Sequence, residues 1–214
     1  MDPGRPLMDV TSTYDVRQMT VEDIPQVMKI ERTSFPATWP QTAYQRELTR
    51  NNLALYFVVV GGHAARPGEG ATPARPLLRR VLRSASTERE PAEKDDILGF
   101  AGLWRMVDEG HIVTIAVRED RRRLGLGGLL LSRAFMVADQ ENLPALTLEV
   151  RVSNQAAQAL YEKWGFQRLG LRKRYYSDNN EDAVIMTTPD LADSDLRRLI
   201  AEQRAELRQR GFAA

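Results

Sequence analysis

Apolar residues recur along the chain at two spacings, and the switches between them mark the elements. Tyr14–Met19 reads as a short strand. Thr20, with Asp23 three residues on, is a helix-start signal close to a capping box. Ile24, Val27, Met28 and Phe35 then repeat at helical spacing, with Pro25 still in the first turn, where it is tolerated. Pro36 and Pro40 beside Phe35 and Trp39 predict a rigid aromatic loop over Ser34–Pro40, followed by a short helix from Pro40 to Arg50. Leu53–Val60 is a continuous apolar run, a buried strand. Ile97–Val107 and His111–Val117 form a hairpin about an Asp108–Gly110 turn. Arg121–Gly128 leads into a helix ending near Asn142, broken by Leu143 and Pro144, and Ala145–Arg151 is a strand. Ser153 and Asn154 open a helix that Gly165 terminates after Trp164. Phe166–Tyr176 and Asp182–Thr188 are strands joined by the polar turn Ser177–Glu181. A charged helix over Ser194–Gly211, with a thin apolar stripe at Leu196, Leu199, Ile200 and Leu207, ends the chain.

Between Gly61 and Asp96 the pattern collapses into prolines, glycines and nearly cancelling charges, which predicts a long, largely disordered insertion within a hairpin. A short helix is expected at Leu77–Arg83; a solvated loop and a binding loop using Arg79, Arg80 and Arg83 both remain open. The element order β-α-α-β-β-β-α-β-α-β-β, plus the final helix, gives an α+β fold: a mixed, mostly antiparallel sheet in a three-layer α/β/α arrangement. Residues 1–13 are expected to form a flexible tail, 14–189 the domain, and 190–214 a helical extension.

Composition removes several chemistries. The 214 residues contain no cysteine, so disulfides, thiolate metal sites and an acyl-cysteine intermediate are excluded. Two histidines, His63 and His111, make a His-rich metal site untenable, and no metal is expected. A net charge of +1 offers no global field for nucleic acid or anionic lipid, so neither is an expected partner. The N-terminus lacks a secretory apolar core, and the longest apolar run falls far short of the ~20 residues of a membrane span. A soluble, cytoplasmic protein is expected.

The most informative stretch is Val117–Gly128. A strand ends, Arg121, Arg122 and Arg123 follow, and Gly125, Gly127 and Gly128 open a helix. Glycines let backbone N–H groups approach a ligand, and a helix N-terminus adds unsatisfied donors and a positive dipole end, which suits an anion such as phosphate. The spacing is neither Gly-x-Gly-x-x-Gly nor a P-loop. Arg122-x-x-Gly125-x-Gly127 does resemble the signature with which the GNAT superfamily of N-acetyltransferases holds the pyrophosphate of acetyl-coenzyme A. The chain is most similar to its RimI subfamily, ribosomal-protein-alanine N-acetyltransferases. The residues behind that are Ile115–Val117, Leu148–Asn154, Ala159–Glu162, Gly165-Phe166, Arg174–Tyr176 and Glu181–Met186. The resemblance runs from Asp15 to Thr188 and covers neither the insertion nor the final helix.

The resemblance implies a GNAT fold, acetyl-CoA as co-substrate, and a protein N-terminus as acceptor, the N-terminal alanine of a ribosomal protein or a similar small residue. It places coenzyme binding on Ile115, Ala116, Val117, Arg122, Arg123, Leu124, Gly125, Leu126, Gly127, Gly128 and Asn154. It makes Glu149 the proton acceptor and Tyr161 the proton donor, and sets Phe35, Trp39, Tyr175 and Tyr176 beside the acceptor. Each has a plainer alternative: a salt bridge from Glu149 to Arg151 or Arg172, a packed tyrosine at 161, and ordinary surface packing for the four aromatics. Partial burial is expected to raise the pKa of Glu149 toward that of a useful base, and Tyr161 to titrate near ~10. His111 is expected to be structural and His63 to have no role.

An α-amine is roughly 10% neutral at pH 7 and a lysine well under 0.1%, so a single carboxylate suits the former better. The competing readings are an acetyltransferase acting on protein lysine or a small-molecule amine, and a degenerate acetyl-CoA-binding module. Without a thiol to carry the acetyl group, transfer is expected to be direct, in a ternary complex with sequential kinetics.

Overall fold

The computed structural model of the chain describes residues 14–61 and 95–212. Twelve principal elements follow in order: β1 (Asp15–Gln18), α1 (Ile24–Ser34), α2 (Gln41–Arg50), β2 (Ala54–Gly61), β3 (Asp96–Arg105), β4 (Gly110–Val117), α3 (Leu126–Gln140), β5 (Leu146–Arg151), α4 (Gln155–Lys163), β6 (Gln167–Tyr176), β7 (Glu181–Thr187) and α5 (Ser194–Gln209). The expected tail, the helix at Leu77–Arg83, and residues His63, Arg79, Arg80 and Arg83 lie outside the described residues.

The strands form one sheet in the order β1-β2-β3-β4-β5-β7-β6. Every neighbouring pair is antiparallel except β4 and β5. Helices cover both faces. Along β2, Tyr56, Val58 and Val60 join a core with α1 and α2, while Phe57 and Val59 join one with α3, α4 and α5. A strand buried on both faces needs apolar residues at every position, which is why this segment shows no alternation. β2 and β3 pair out to Gly61 and Asp96, so the insertion joins two neighbouring antiparallel strands.

Local chemistry sets the element ends. Thr20 N–H donates to Asp23 Oδ2 at 2.8 Å, and Arg17 clamps the same carboxylate at 2.7 and 2.9 Å, but the box opens a 3-10 turn at Val21–Asp23 before α1. β3 stops at Arg105, short of Val107, because Met106 N–H turns back to Glu109 C=O at 2.9 Å. Asn154 Oδ1 accepts from Ala157 N–H at 3.1 Å and caps α4; Gly165, at φ +87°, ends the segment. α5 packs on the α3 face through buried Leu196, Ile200 and Leu207, and Arg204 reaches Ser132 Oγ at 3.2 Å.

Candidate active site

β4 and β5 pair at only two positions, Gly110 with Leu146 and His111 with Thr147. Beyond them the strands part. Ile112 and Thr114–Val117 of β4 keep their β3 partners on one side and, among the described residues, have no strand on the other. A register shift at Gly102/Leu103 leaves Val113 without a β3 partner, and bulges of this kind bend and twist a strand. The parting opens a cleft of about 700 Å³. Its walls come from both faces of the sheet: Phe35, Trp39 and Tyr44 from the α1–α2 side, Ala157 and Tyr161 from α4.

Glu149 sits where the strands separate, its side chain 6% exposed. Its Oε2 lies 3.0 Å from His111 Nε2 and its Oε1 3.2 Å from Arg172 Nη2. These contacts add a residue to the site and correct one expectation. His111 is a member of the cleft, paired with the candidate base. The Glu149 carboxyl is also held below the ordinary carboxylate range: the His111 hydrogen bond and the Arg172 charge outweigh the burial that would raise it. The carboxylate is therefore anionic at neutral pH.

Tyr161 faces the same cleft from α4 and is buried, which pushes its phenol above the ordinary value rather than leaving it near ~10. It stays protonated at any physiological pH and can act as a donor. Tyr175 and Tyr176 pack edge to face, 5.2 Å between centroids. Arg151, 3.9 Å over the Tyr176 ring, bonds Asp178 at 2.6 Å and Glu181 at 3.0 Å, which ties the β6–β7 turn to the end of β5. On the opposite wall Glu31 is buried: Oε1 accepts from Trp39 N–H at 3.0 Å and Oε2 from Tyr44 O–H at 2.9 Å. The aromatic loop is thus pinned to α1 by one carboxylate.

Phe35, Trp39, Ile115, Glu149, Asn154, Tyr161, Tyr175 and Tyr176 all line this cleft. Ala116, Val117 and the segment Arg122–Gly128 do not; they lie at the end of β4 and the start of α3. There Gly125 adopts φ +98° as the N-cap of α3, Arg123 adopts φ +63°, and Arg122 Nε donates to Val117 C=O at 3.2 Å. The Leu126 and Ala116 side chains are core residues, so they offer a ligand only their backbone. Oδ1 of Asn154 is occupied by its cap, which leaves the amide NH₂ for a ligand.

The unpaired β4 edge can hydrogen-bond an extended chain carrying amides, and the first turn of α3 has the amide donors and positive end that phosphates need. These donors fit the pantetheine arm and pyrophosphate of a coenzyme A thioester. Among the described residues there is no group of three or more His, Asp or Glu placed to hold a metal, and no helix long and apolar enough to cross a membrane.

Sequence reasoning did not single out Glu31, though a signal existed: it falls on the apolar stripe of α1, three residues after Met28 and four after Val27. A carboxylate on a buried stripe needs partners. The His111–Glu149 pair left no such trace, because it depends on which strands become neighbours.

Comparison with known proteins places these features in a family. The acetyltransferase (GNAT) family profile matches residues 73–166. A protein of Bacillus subtilis (strain 168), provisionally named a ribosomal protein bS18-alanine N-acetyltransferase, is 36% identical over 172 residues, 80% of this chain and 92% of that protein. An N-alpha-acetyltransferase of Sulfurisphaera tokodaii is 32% identical over 178 residues, 82% of this chain and 93% of its own length. The crystal structure of the ribosomal-protein-S18-alanine N-acetyltransferase from Escherichia coli superposes with a TM-score of 0.61 at 25% identity, covering 85% of this chain and 96% of that one.

Proposed function

The chain belongs to the GNAT acetyltransferase family, and from that premise we propose that it transfers acetyl from acetyl-CoA to the N-terminal amine of a protein, an alanine or similar small residue on a ribosomal protein. The observation that carries this reading is Glu149, buried and ionised at the parting of β4 and β5, with the aromatic loop on one side and Tyr161 on the other. Acetyl-CoA supplies an activated thioester. The β4 backbone aligns its arm, and a β4 N–H polarises the thioester carbonyl. Glu149, with His111 at 3.0 Å, takes the proton from the incoming ammonium, directly or through a water; the neutral amine then forms the C–N bond as the C–S bond breaks, and the second proton it sheds replaces the one that Tyr161 gives up. The protonated Tyr161 phenol donates toward the departing sulfur.

Phe35 and Trp39 on one wall and Tyr175 and Tyr176 on the other leave a channel for an extended peptide end. Similarity to a ribosomal protein bS18-alanine enzyme supports one ribosomal acceptor, and similarity to an archaeal N-alpha-acetyltransferase supports a wider set of N-termini. Purified protein, acetyl-CoA and a panel of peptides, read by fragment mass spectrometry, test the proposal. Acetyl is expected on the α-amine of Ala-starting peptides. Acetylation of lysine side chains with Ala-starting N-termini left free would overturn it.

A further inference from the structure

We propose that Arg210, at the end of α5, grips the phosphates of the coenzyme; the inference rests on the Arg122–Gly128 turn being the coenzyme site. Arg210 Nη2 donates to Leu124 C=O at 2.8 Å, and its Nη1 lies 2.9 Å from where a Cβ on Gly125 would stand. The guanidinium thus rests on two consecutive residues in the middle of the turn. Glycine at 125 admits this approach as well as supplying the left-handed backbone.

The placement is built, not incidental. Arg210 N–H caps α5 on Glu206 C=O and Leu207 C=O at 3.2 and 3.0 Å. Leu207 is buried and lies below Gly128, 3.7 Å from the position of a Cβ there. Phe212 packs 5.7 Å from the guanidinium and stacks on Tyr14, which ties the residues just after α5 to the start of β1.

Charge argues for an anion. The turn already holds Arg122, Arg123 and the positive end of α3, with Arg121 paired to Asp120 at 3.5 Å, so another cation is repelled unless negative charge shares the place. Glu206, one turn back on α5, bonds Lys163 at 2.8 Å and shares its charge between Lys163 and Arg210, with no hydrogen bond to the guanidinium among the described residues. Among the described residues the Leu124 carbonyl is the one hydrogen-bond acceptor of the guanidinium, which leaves further donors for phosphate oxygens. Arg210 lies beyond the residues that the family profile matches, 73–166, so the profile alone does not bring it to the turn.

Calorimetric titration of the full chain with coenzyme A, and with dephospho-coenzyme A, tests this at two salt concentrations. Arg210→Gln removes the charge and keeps a neutral polar side chain; it is expected to weaken coenzyme A about tenfold and flatten the salt dependence, with the melting temperature unchanged. Arg210→Lys should retain most of the affinity. A loss that vanishes with dephospho-coenzyme A assigns the 3′-phosphate; a loss that persists assigns the pyrophosphate. Wild-type affinity in Arg210→Gln would overturn the proposal, as would equal weakening in Arg210→Lys. Failure of the unaltered chain to bind coenzyme A would instead overturn the reading of the turn.

Discussion

A carboxylate carried into a sheet is pulled two ways: desolvation favours the proton, and neighbouring donors and cations favour its loss. At Glu149 the hydrogen bond to His111, with the charge of Arg172, wins. Its folded-state pKa is thus below its unfolded one, so it stabilises the fold above the ordinary carboxylate pKa, and this is lost as pH falls through the depressed value. Removing the partner should reverse the balance. In His111→Ala burial acts with less opposition, so the acid limb of the kcat profile moves to higher pH. Glu149→Gln should lower kcat by about 10²- to 10⁴-fold with coenzyme A affinity intact. An unmoved acid limb in His111→Ala, or near-normal turnover in Glu149→Gln, would contradict these roles. Glu149 itself was legible, since a charge mid-strand between Leu148 and Val150 is either paired or functional. The direction of its pKa was not. That depends on Arg172, which comes from β6, and on His111, brought close by two rungs of β4–β5 pairing.

Elements were legible wherever punctuation is chemical. Asn154 caps α4 and Gly165 ends it, as the residue types require. Boundaries drifted where tertiary bonds decide them, as at Met106, whose apolar side chain suggested strand although its backbone closes a turn. Gly165 also joins two elements. A Cβ there would stand 2.4 Å from Leu196 Cδ1 of α5, and φ +87° disfavours any other residue. Gly165→Ala should therefore destabilise the chain by about 2–4 kcal/mol, combining backbone strain with overpacking against buried Leu196. Urea unfolding measures it, and a change below about 0.5 kcal/mol, the range of neutral surface substitutions, would show that α5 is not seated on this turn.

At the scale of the whole molecule, the cleft exists because the sheet fails to close between β4 and β5. No single segment records that. The hairpins β3–β4 and β6–β7 follow from short turns, but the placing of β7 between β5 and β6, and the parting after two rungs, are properties of strand twist and of what covers each face. The parting makes one cleft walled from both faces of the sheet, with the Arg122–Gly128 turn at the end of β4, the Phe35–Trp39 loop on the α1 face and Tyr161 on the other. Two substrates can then meet at Glu149 without displacing each other, which is what direct transfer in a ternary complex requires. The decisive measurement is a crystal structure with a bisubstrate analogue, an Ala-starting peptide joined through its α-nitrogen to coenzyme A. The pantetheine should lie along β4 at Thr114–Val117, the phosphates on Arg122–Gly128, and the peptide between Phe35–Trp39 and Tyr175–Tyr176 with its α-nitrogen facing Glu149. An analogue seated with its peptide outside those two aromatic walls, or with its junction away from Glu149, would contradict the account.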